Sequence, residues 1–128
     1  MKQQIMVVDD EVQIRELLAI YLNKKGYAVA TAGNSTEALK RAGQSHIDLI
    51  VLDISLAGED GLSVLAAIKA RHPATKVVML TGMGFVEDLL QEAQEKGADG
   101  YVSKVLPLDE LLLAIHRTLR PSDLAEAA

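Results

Sequence analysis

Five short apolar runs, rich in β-branched residues, recur along the chain with room for a helix after each. They are Ile5 to Val8, Tyr27 to Thr31, Leu49 to Ile54, Lys76 to Thr81 and Gly100 to Ser103. Between them the apolar positions switch to three- and four-residue steps, the spacing of a helix face. Val12, Ile14, Leu17, Leu18, Tyr21 and Leu22 carry a first helix, with Gly26 as its stop. Ser35, Glu37 and Ala38 open a second, running to about Gln44, and Leu62, Leu65, Ala66 and Ile68 carry a third that Pro73 ends. Val86, Leu89, Leu90 and Ala93 carry a fourth, stopped at Gly97. Pro107 stands at the start of the fifth, carried by Leu111, Leu112, Ile115 and Leu119. Strand and helix alternating five times predict a parallel sheet covered on both faces. Leu49-Ile50-Val51-Leu52 is apolar without alternation, as a strand buried on both sides must be. Crossovers should be right-handed.

The 128 residues suit one domain. Aromatics make up only 3%, so the core must be aliphatic. There are no cysteines, which removes disulfides, thiolate metal sites and thiol catalysis together. No apolar run approaches the ~20 residues of a membrane helix, and the N-terminal apolar run is too short for a signal-peptide core. A cytoplasmic protein without membrane contact is the expectation. The net charge of −5 and the lack of a basic cluster argue against direct nucleic-acid binding through this chain.

In an open parallel sheet, ligands bind beyond the carboxyl ends of the strands. The first strand ends in Asp9-Asp10, the third around Asp53, the fourth in Thr81-Gly82 and the fifth in Ser103-Lys104. The second ends in Thr31-Ala32-Gly33, with no obvious chemistry. Three carboxylates, a hydroxyl and an ammonium therefore converge on one edge. Carboxylates gathered closely repel unless a cation joins them. A hard divalent ion with oxygen ligands fits, and magnesium leaves coordination positions for phosphate oxygens. Lys104 can neutralise the remaining charge, and a carboxylate oxygen can act as nucleophile to give an aspartyl phosphate. Thr81 can donate to a phosphoryl oxygen.

Each residue alone has a plainer reading. Asp9-Asp10 suits a loop and helix cap, Asp53 a turn, Thr81-Gly82 a strand exit, Lys104 the surface. All of them falling on strand ends, in order over the whole chain, is poorly explained by accident. His46, His72 and His116 lack ligand spacing and are read as structural or surface residues. The methionines read as core or loop fillers. One leucine of Leu111-Leu112-Leu113 must face outward.

The pieces Val7-Val8-Asp9-Asp10-Glu11, Ile14-Arg15-Glu16-Leu17-Leu18, Asp53 through Asp60-Gly61, Thr81-Gly82, Gly97-Ala98-Asp99-Gly100-Tyr101 and Lys104 resemble the receiver domain of two-component response regulators, including chemotaxis-type ones, over nearly the whole chain. The resemblance implies an α/β, flavodoxin-like (βα)5 doubly wound parallel sheet with strand order 2-1-3-4-5. It implies a receiver domain over residues 1–121, with 122–128 a tail or linker stump. It implies that Asp53 accepts a phosphoryl group from a sensor histidine kinase or phosphotransfer protein. Mg2+, or Mn2+, would be held directly by Asp10, Asp53 and the Ser55 backbone carbonyl, with Asp9 acting through water. Thr81 and Lys104 would bind phosphoryl oxygens, and Tyr101 would turn inward as Thr81 moves. Ser55 and Met83 occupy positions that tune dephosphorylation. Output would leave through the fourth helix, fifth strand and fifth helix, to a downstream protein or to an effector domain outside this chain. Such a domain catalyses only its own phosphorylation and dephosphorylation.

Two departures bear on loop geometry. Val105 follows Lys104 where the family usually has proline, often in a cis bond; a cis non-proline bond costs about 2.5–4 kcal/mol. The expectation is a trans bond with a shifted loop, or strain. Ala57 replaces a common proline after the third strand. Gly100 stands where dimerising transcription-factor receivers often carry aspartate. Three rival readings differ in kind. A pseudo-receiver would bind proteins without phosphate, but the full set Asp9, Asp10, Asp53, Thr81 and Lys104 argues against it. A phosphatase with an aspartyl nucleophile would want an acid where Ser55 stands. A flavodoxin would need a phosphate loop after the first strand.

Overall fold

The structure, a computed structural model, describes residues 2–56, 58–82, 87–104 and 107–119. In chain order these form β1 (Gln4–Val8), α1 (Val12–Lys24), β2 (Ala28–Ala32), α2 (Ser35–Gln44), β3 (Leu49–Asp53), β4 (Ser55–Leu56), β5 (Glu59–Asp60), α3 (Gly61–Arg71), β6 (Lys76–Thr81), α4 (Glu87–Glu95), β7 (Gly100–Ser103) and α5 (Leu108–Leu119). Five strands make one parallel sheet in the order β2-β1-β3-β6-β7. Counting only those strands, the order is 2-1-3-4-5. Each of the predicted strands and helices is present, with β2 starting one residue later than the apolar run.

The ends of the helices follow from local chemistry. Asn34 caps α2 by accepting from Glu37 N–H at 2.9 Å, and Asp60 caps α3 by accepting from Leu62 N–H at 3.0 Å. Gly26 and Gly97, with φ of 99° and 100°, close α1 and α4. At both, the next residue's N–H reaches five residues back (Tyr27 to Leu22, Ala98 to Ala93), a glycine-terminated cap that satisfies a last-turn carbonyl.

The core is aliphatic and lies on both faces of the sheet. Met6, Val8, Ile50, Leu52, Val77 and Met79 face one layer with Ala38, Leu65 and Ile68. Ile5, Val7, Leu49, Val51, Val78 and Leu80 face the other with Leu18, Leu22, Leu111 and Ile115. Every residue of β3 is buried, as its unbroken apolar run requires. Leu113 is the outward leucine of its triplet, 42% exposed.

One element was not foreseen. After β3, two dipeptides pair antiparallel, Ser55 with Asp60 and Leu56 with Glu59, and turn the chain back into α3. Two-residue strands carry too little pattern to be read from sequence. Among the described residues no helix is long and apolar enough to cross a membrane. The expectations for Ala57, Met83, Val86, the Lys104–Val105 bond and the tail after 119 lie outside the described residues.

Candidate phosphoacceptor site

The site is assembled by register. Asp9 follows β1, and its N–H still reaches Ala32 O of β2 at 3.2 Å. Asp53 ends β3 and stands beside Leu80 of β6, so Thr81 lies one residue farther along. Thr81 stands beside Ser103 of β7, and Lys104 N–H, the next residue, donates to Thr81 O at 2.7 Å. The two-residue alternation of a strand then sorts the groups. Asp9 and Asp53 continue the series Ile5-Val7 and Leu49-Val51, which packs with α1 and α5. Thr81 and Tyr101 fall on the opposite face, Tyr101 packing against the core layer of Met79 and Ala93.

Asp9, Asp10 and Asp53 each offer a carboxylate oxygen, and these oxygens lie within 4.8 Å of one another. Asp9 and Asp53 are buried and Asp10 is half-buried. Asp9 Oδ1 accepts from Glu11 N–H at 2.9 Å, and Asp53 Oδ1 from Ser55 N–H at 3.0 Å. The remaining oxygens face Lys104. Its Nζ lies 3.0 Å from Asp53 Oδ2, with a hydrogen bond, and 2.9 Å from Asp9 Oδ2. Both buried carboxylates thus share the one ammonium. Glu11 Oε1, at 3.5 Å, is a more exposed third neighbour of the ammonium.

The charges follow from this arrangement. Burial pushes the Asp53 carboxyl above its usual range and the Asp9 charge adds to that, while the Ser55 N–H and Lys104 work in the opposite direction. Burial alone would pull the Lys104 ammonium down, but the Asp9 and Asp53 carboxylates outweigh it and hold it above its ordinary value. One ammonium against three clustered carboxylates leaves an excess of negative charge among hard oxygen donors. These residues fit a small divalent cation.

The loop after Asp53 is held tightly. An added Cβ on Gly61 would lie 2.4 Å from Asp53 O and 2.6 Å from Ile54 O, so α3 starts against the backbone of Asp53 only with glycine there. Gly61 N–H donates to Ile54 O at 3.0 Å. The β4–β5 ribbon is tied to the start of α2, where Glu59 accepts from Ser35 N–H at 3.1 Å and from the Ser35 hydroxyl. Those two bonds hold the Glu59 carboxyl below its usual range.

The other predicted positions fall as follows. Tyr101 is half-buried and its hydroxyl oxygen is out of solvent. It borders a hollow of about 280 Å³ against α4, with Leu90, Ala93 and Gln94. Ser55 is exposed at the head of the ribbon. Met83 lies outside the described residues. His46 contacts Asp48 Oδ1 at 2.8 Å, His72 ends α3, and His116 meets the Tyr27 ring edge-on. Among the described residues no histidine joins a metal-binding group. Sequence reasoning missed the bond from Arg15 to Asp9 O beside Gly33 and the bonds from Ser35 to Glu59, which join residues on different elements.

Comparison with known proteins gives one answer. Residues 5–116 match the response regulator receiver domain family. Among curated relatives, Sporulation initiation phosphotransferase F of Bacillus subtilis is 34% identical over 119 residues, covering 93% of this chain and 95% of that protein. The transcriptional regulatory protein ResD of the same organism is 38% identical over 117 residues, which are 91% of this chain but 48% of ResD. The chain thus spans about half the length of ResD. Among solved structures, a Burkholderia pseudomallei response regulator with a phosphorylated aspartic acid, calcium ion and citrate superposes with a TM-score of 0.84 at 31% identity, covering 98% of this chain and 74% of that one.

Proposed function

This chain belongs to the response regulator receiver domain family of two-component signalling, and we propose that it is a phosphorylation switch whose acceptor is the Asp53 carboxylate. The observation that carries the proposal is the cluster of Asp53, Asp9 and Asp10 carboxylates, with the Lys104 ammonium against Asp53 and Asp9. The structure of the Burkholderia relative, which holds a phosphorylated aspartic acid and a calcium ion, supports it.

In this reading the Asp53 carboxylate attacks the phosphorus of a phosphohistidine on a histidine kinase or phosphotransfer protein. The new O–P bond forms as the N–P bond breaks, and the electron pair leaves with the imidazole nitrogen. The anion is the nucleophile, so the Ser55 N–H and Lys104, which favour it, are part of the machinery. Lys104 and the Thr81 hydroxyl bind phosphoryl oxygens, and Asp10, Asp53 and the Ser55 carbonyl would hold magnesium or manganese, with Asp9 expected to act through water. The metal, when bound, neutralises the clustered carboxylates and the developing phosphoryl charge. Thr81 and Tyr101 share a face of the sheet, which supports a switch in which Thr81 moves toward the phosphoryl group and Tyr101 follows inward. The surface altered is that of α4, β7 and α5, read by a downstream protein or by an effector domain of a longer regulator. The domain extends to about residue 121 and turns over only its own phosphoryl group.

The test is incubation with Mg2+ and a small phosphodonor such as acetyl phosphate. Intact mass should show one base-labile phosphoryl group, lost with EDTA and absent in Asp53→Asn. Wild-type protein that stays unmodified with magnesium present would defeat the proposal.

A further inference from the structure

Arg15 lies on α1, outside the set of groups that touch the phosphoryl position. Its Nη1 donates to the backbone carbonyl of Asp9 at 2.7 Å. That carbonyl belongs to the peptide joining Asp9 to Asp10. The same turn is pinned by Asp9 N–H on Ala32 O, by Glu11 N–H on Asp9 Oδ1, and by Arg15 N–H on Glu11 O. The first of these acts from β2, and Arg15 acts from α1. Asp9 is therefore held on both sides, its N–H (in the Val8–Asp9 peptide) by β2 and its carbonyl (in the Asp9–Asp10 peptide) by α1.

The seat of the guanidinium is Gly33. A Cβ built on Gly33 would lie 3.0 Å from Arg15 Nη1 and 3.5 Å from Cζ. Backbone conformation does not demand glycine here, since the described glycines with positive φ are Gly26, Gly58 and Gly97. The contact that a side chain at 33 would meet is Arg15. Thr31-Ala32-Gly33, the one strand end without chemistry of its own, thus supplies the flat surface on which the guanidinium lies.

We infer that Arg15, seated on Gly33, is a positioning residue: it fixes the Asp9–Asp10 peptide and so aims the Asp10 carboxylate at the cation site. The inference rests on the metal-binding reading of the acidic cluster. Electrostatics alone predicts the opposite effect of removing Arg15. The guanidinium is a positive charge close to a cation site, and deleting it would tighten Mg2+ binding. Positioning predicts weaker binding, because groups that orient metal ligands typically contribute 10–100-fold in affinity. The sign of the change separates the two.

The experiment is calorimetric titration of the metal-free protein with MgCl2, paired with urea unfolding in EDTA. Arg15→Met should weaken Mg2+ binding about tenfold, by more than its shift in urea midpoint accounts for. Gly33→Ala leaves every charge in place and asks the end of the Arg15 side chain to shift by only a few tenths of an ångström, so it should weaken binding less than Arg15→Met, in the same direction. The double variant should be no weaker than Arg15→Met within about twofold, since both changes act on one contact. Arg15→Lys, which keeps the charge without the planar fork, should recover only part of the loss. Folded Arg15→Met that binds Mg2+ as well as wild type or more tightly overturns the inference. If Arg15→Met does not fold, Arg15→Lys decides: wild-type affinity there overturns the inference, and weaker binding with the charge retained supports it. Asp10→Asn is the control: wild type that binds no Mg2+, or Asp10→Asn that binds it equally, defeats the metal reading and this inference with it.

Discussion

Replacing Lys104 with methionine tests the electrostatic account of the site most directly. Lys104 Nζ is the cation between two buried carboxylates, at 2.9 Å from Asp9 and 3.0 Å from Asp53, whose side chains are 0% and 3% exposed. Methionine keeps the length of the stem and removes the charge. Breaking a buried ion pair by deleting one partner costs about 3–5 kcal/mol. Lys104 retains 16% exposure and the cluster opens to water, so roughly 2–3 kcal/mol is the expected loss in metal-free buffer. In a domain of this size that is roughly 6–12 °C in melting temperature. Magnesium should then stabilise Lys104→Met more than wild type, because the ammonium no longer competes for the same oxygens. Acid should act in the same direction. The Asp53 carboxyl is raised by burial first and by Asp9 second, and Lys104 is one of the groups opposing that. Without Lys104 it rises further, so protonation relieves repulsion and stability recovers as pH falls through that folded-state value. The assay is thermal unfolding of both proteins at pH 7.5 and 5.5, in EDTA and in 10 mM MgCl2. Equal melting temperatures in EDTA at pH 7.5, or an equal magnesium increment for both proteins, would refute the reasoning.

Asp53→Asn should raise the urea midpoint of the metal-free protein at pH 7. A carboxyl whose folded pKa lies above its unfolded one stabilises only when protonated, and that contribution is lost as pH rises from the unfolded value of about 3.9 through the folded one. The advantage of Asp53→Asn over wild type should therefore vanish in acid, as paired urea titrations at pH 7 and pH 4 can show. Gly61→Ala places a Cβ 2.4 Å from Asp53 O, where backbone rather than a flexible side chain must yield. It should lose about 2 kcal/mol or more by urea denaturation and slow phosphorylation by acetyl phosphate. Lys69→Met removes bonds of 2.7 Å to Thr75 O and to Asp99 Oδ2, at the edge of the sheet opposite the acceptor. It should lose about 1–2 kcal/mol while the phosphorylation rate stays within twofold of wild type.

The fold was legible because its signal is local and repeated. Each strand shows a period of two or an unbroken apolar run, each helix shows three- and four-residue steps, and Gly26 and Gly97 mark real stops. The order of strands was not in those patterns and came from family resemblance. The acidic cluster was legible because a parallel sheet brings all strand ends of one sense to one edge, so Asp9, Asp53, Thr81 and Lys104 need only be terminal to be neighbours. The β4–β5 ribbon was not, since two residues carry no period. Arg15 on Asp9 O and Glu59 on Ser35 were not either. Both join a side chain to backbone on another element, and side-chain spacing along the chain holds no trace of such a bond.

That division of labour bears on how such a site tolerates change. Asp53, Thr81 and Lys104 are fixed by the β3–β6 and β6–β7 registers, and Asp9 by its bond to the end of β2. Slipping any of these strands by one residue would exchange its two faces, so Asp53 would leave the Asp9 side of the sheet and both close-packed core layers would have to repack around side chains of different shape. The reacting groups are thus held by the same hydrophobic burial that holds the sheet. The loops beyond them are free of that constraint. Aim within the cluster is a finer matter than register, because Asp10 lies past the last β1 residue and no strand neighbour orients it. A side chain from α1, resting against a glycine of the β2 exit, holds the carbonyl that precedes it. Asp53 is therefore placed by packing, and the aim of Asp10 beside it by one guanidinium.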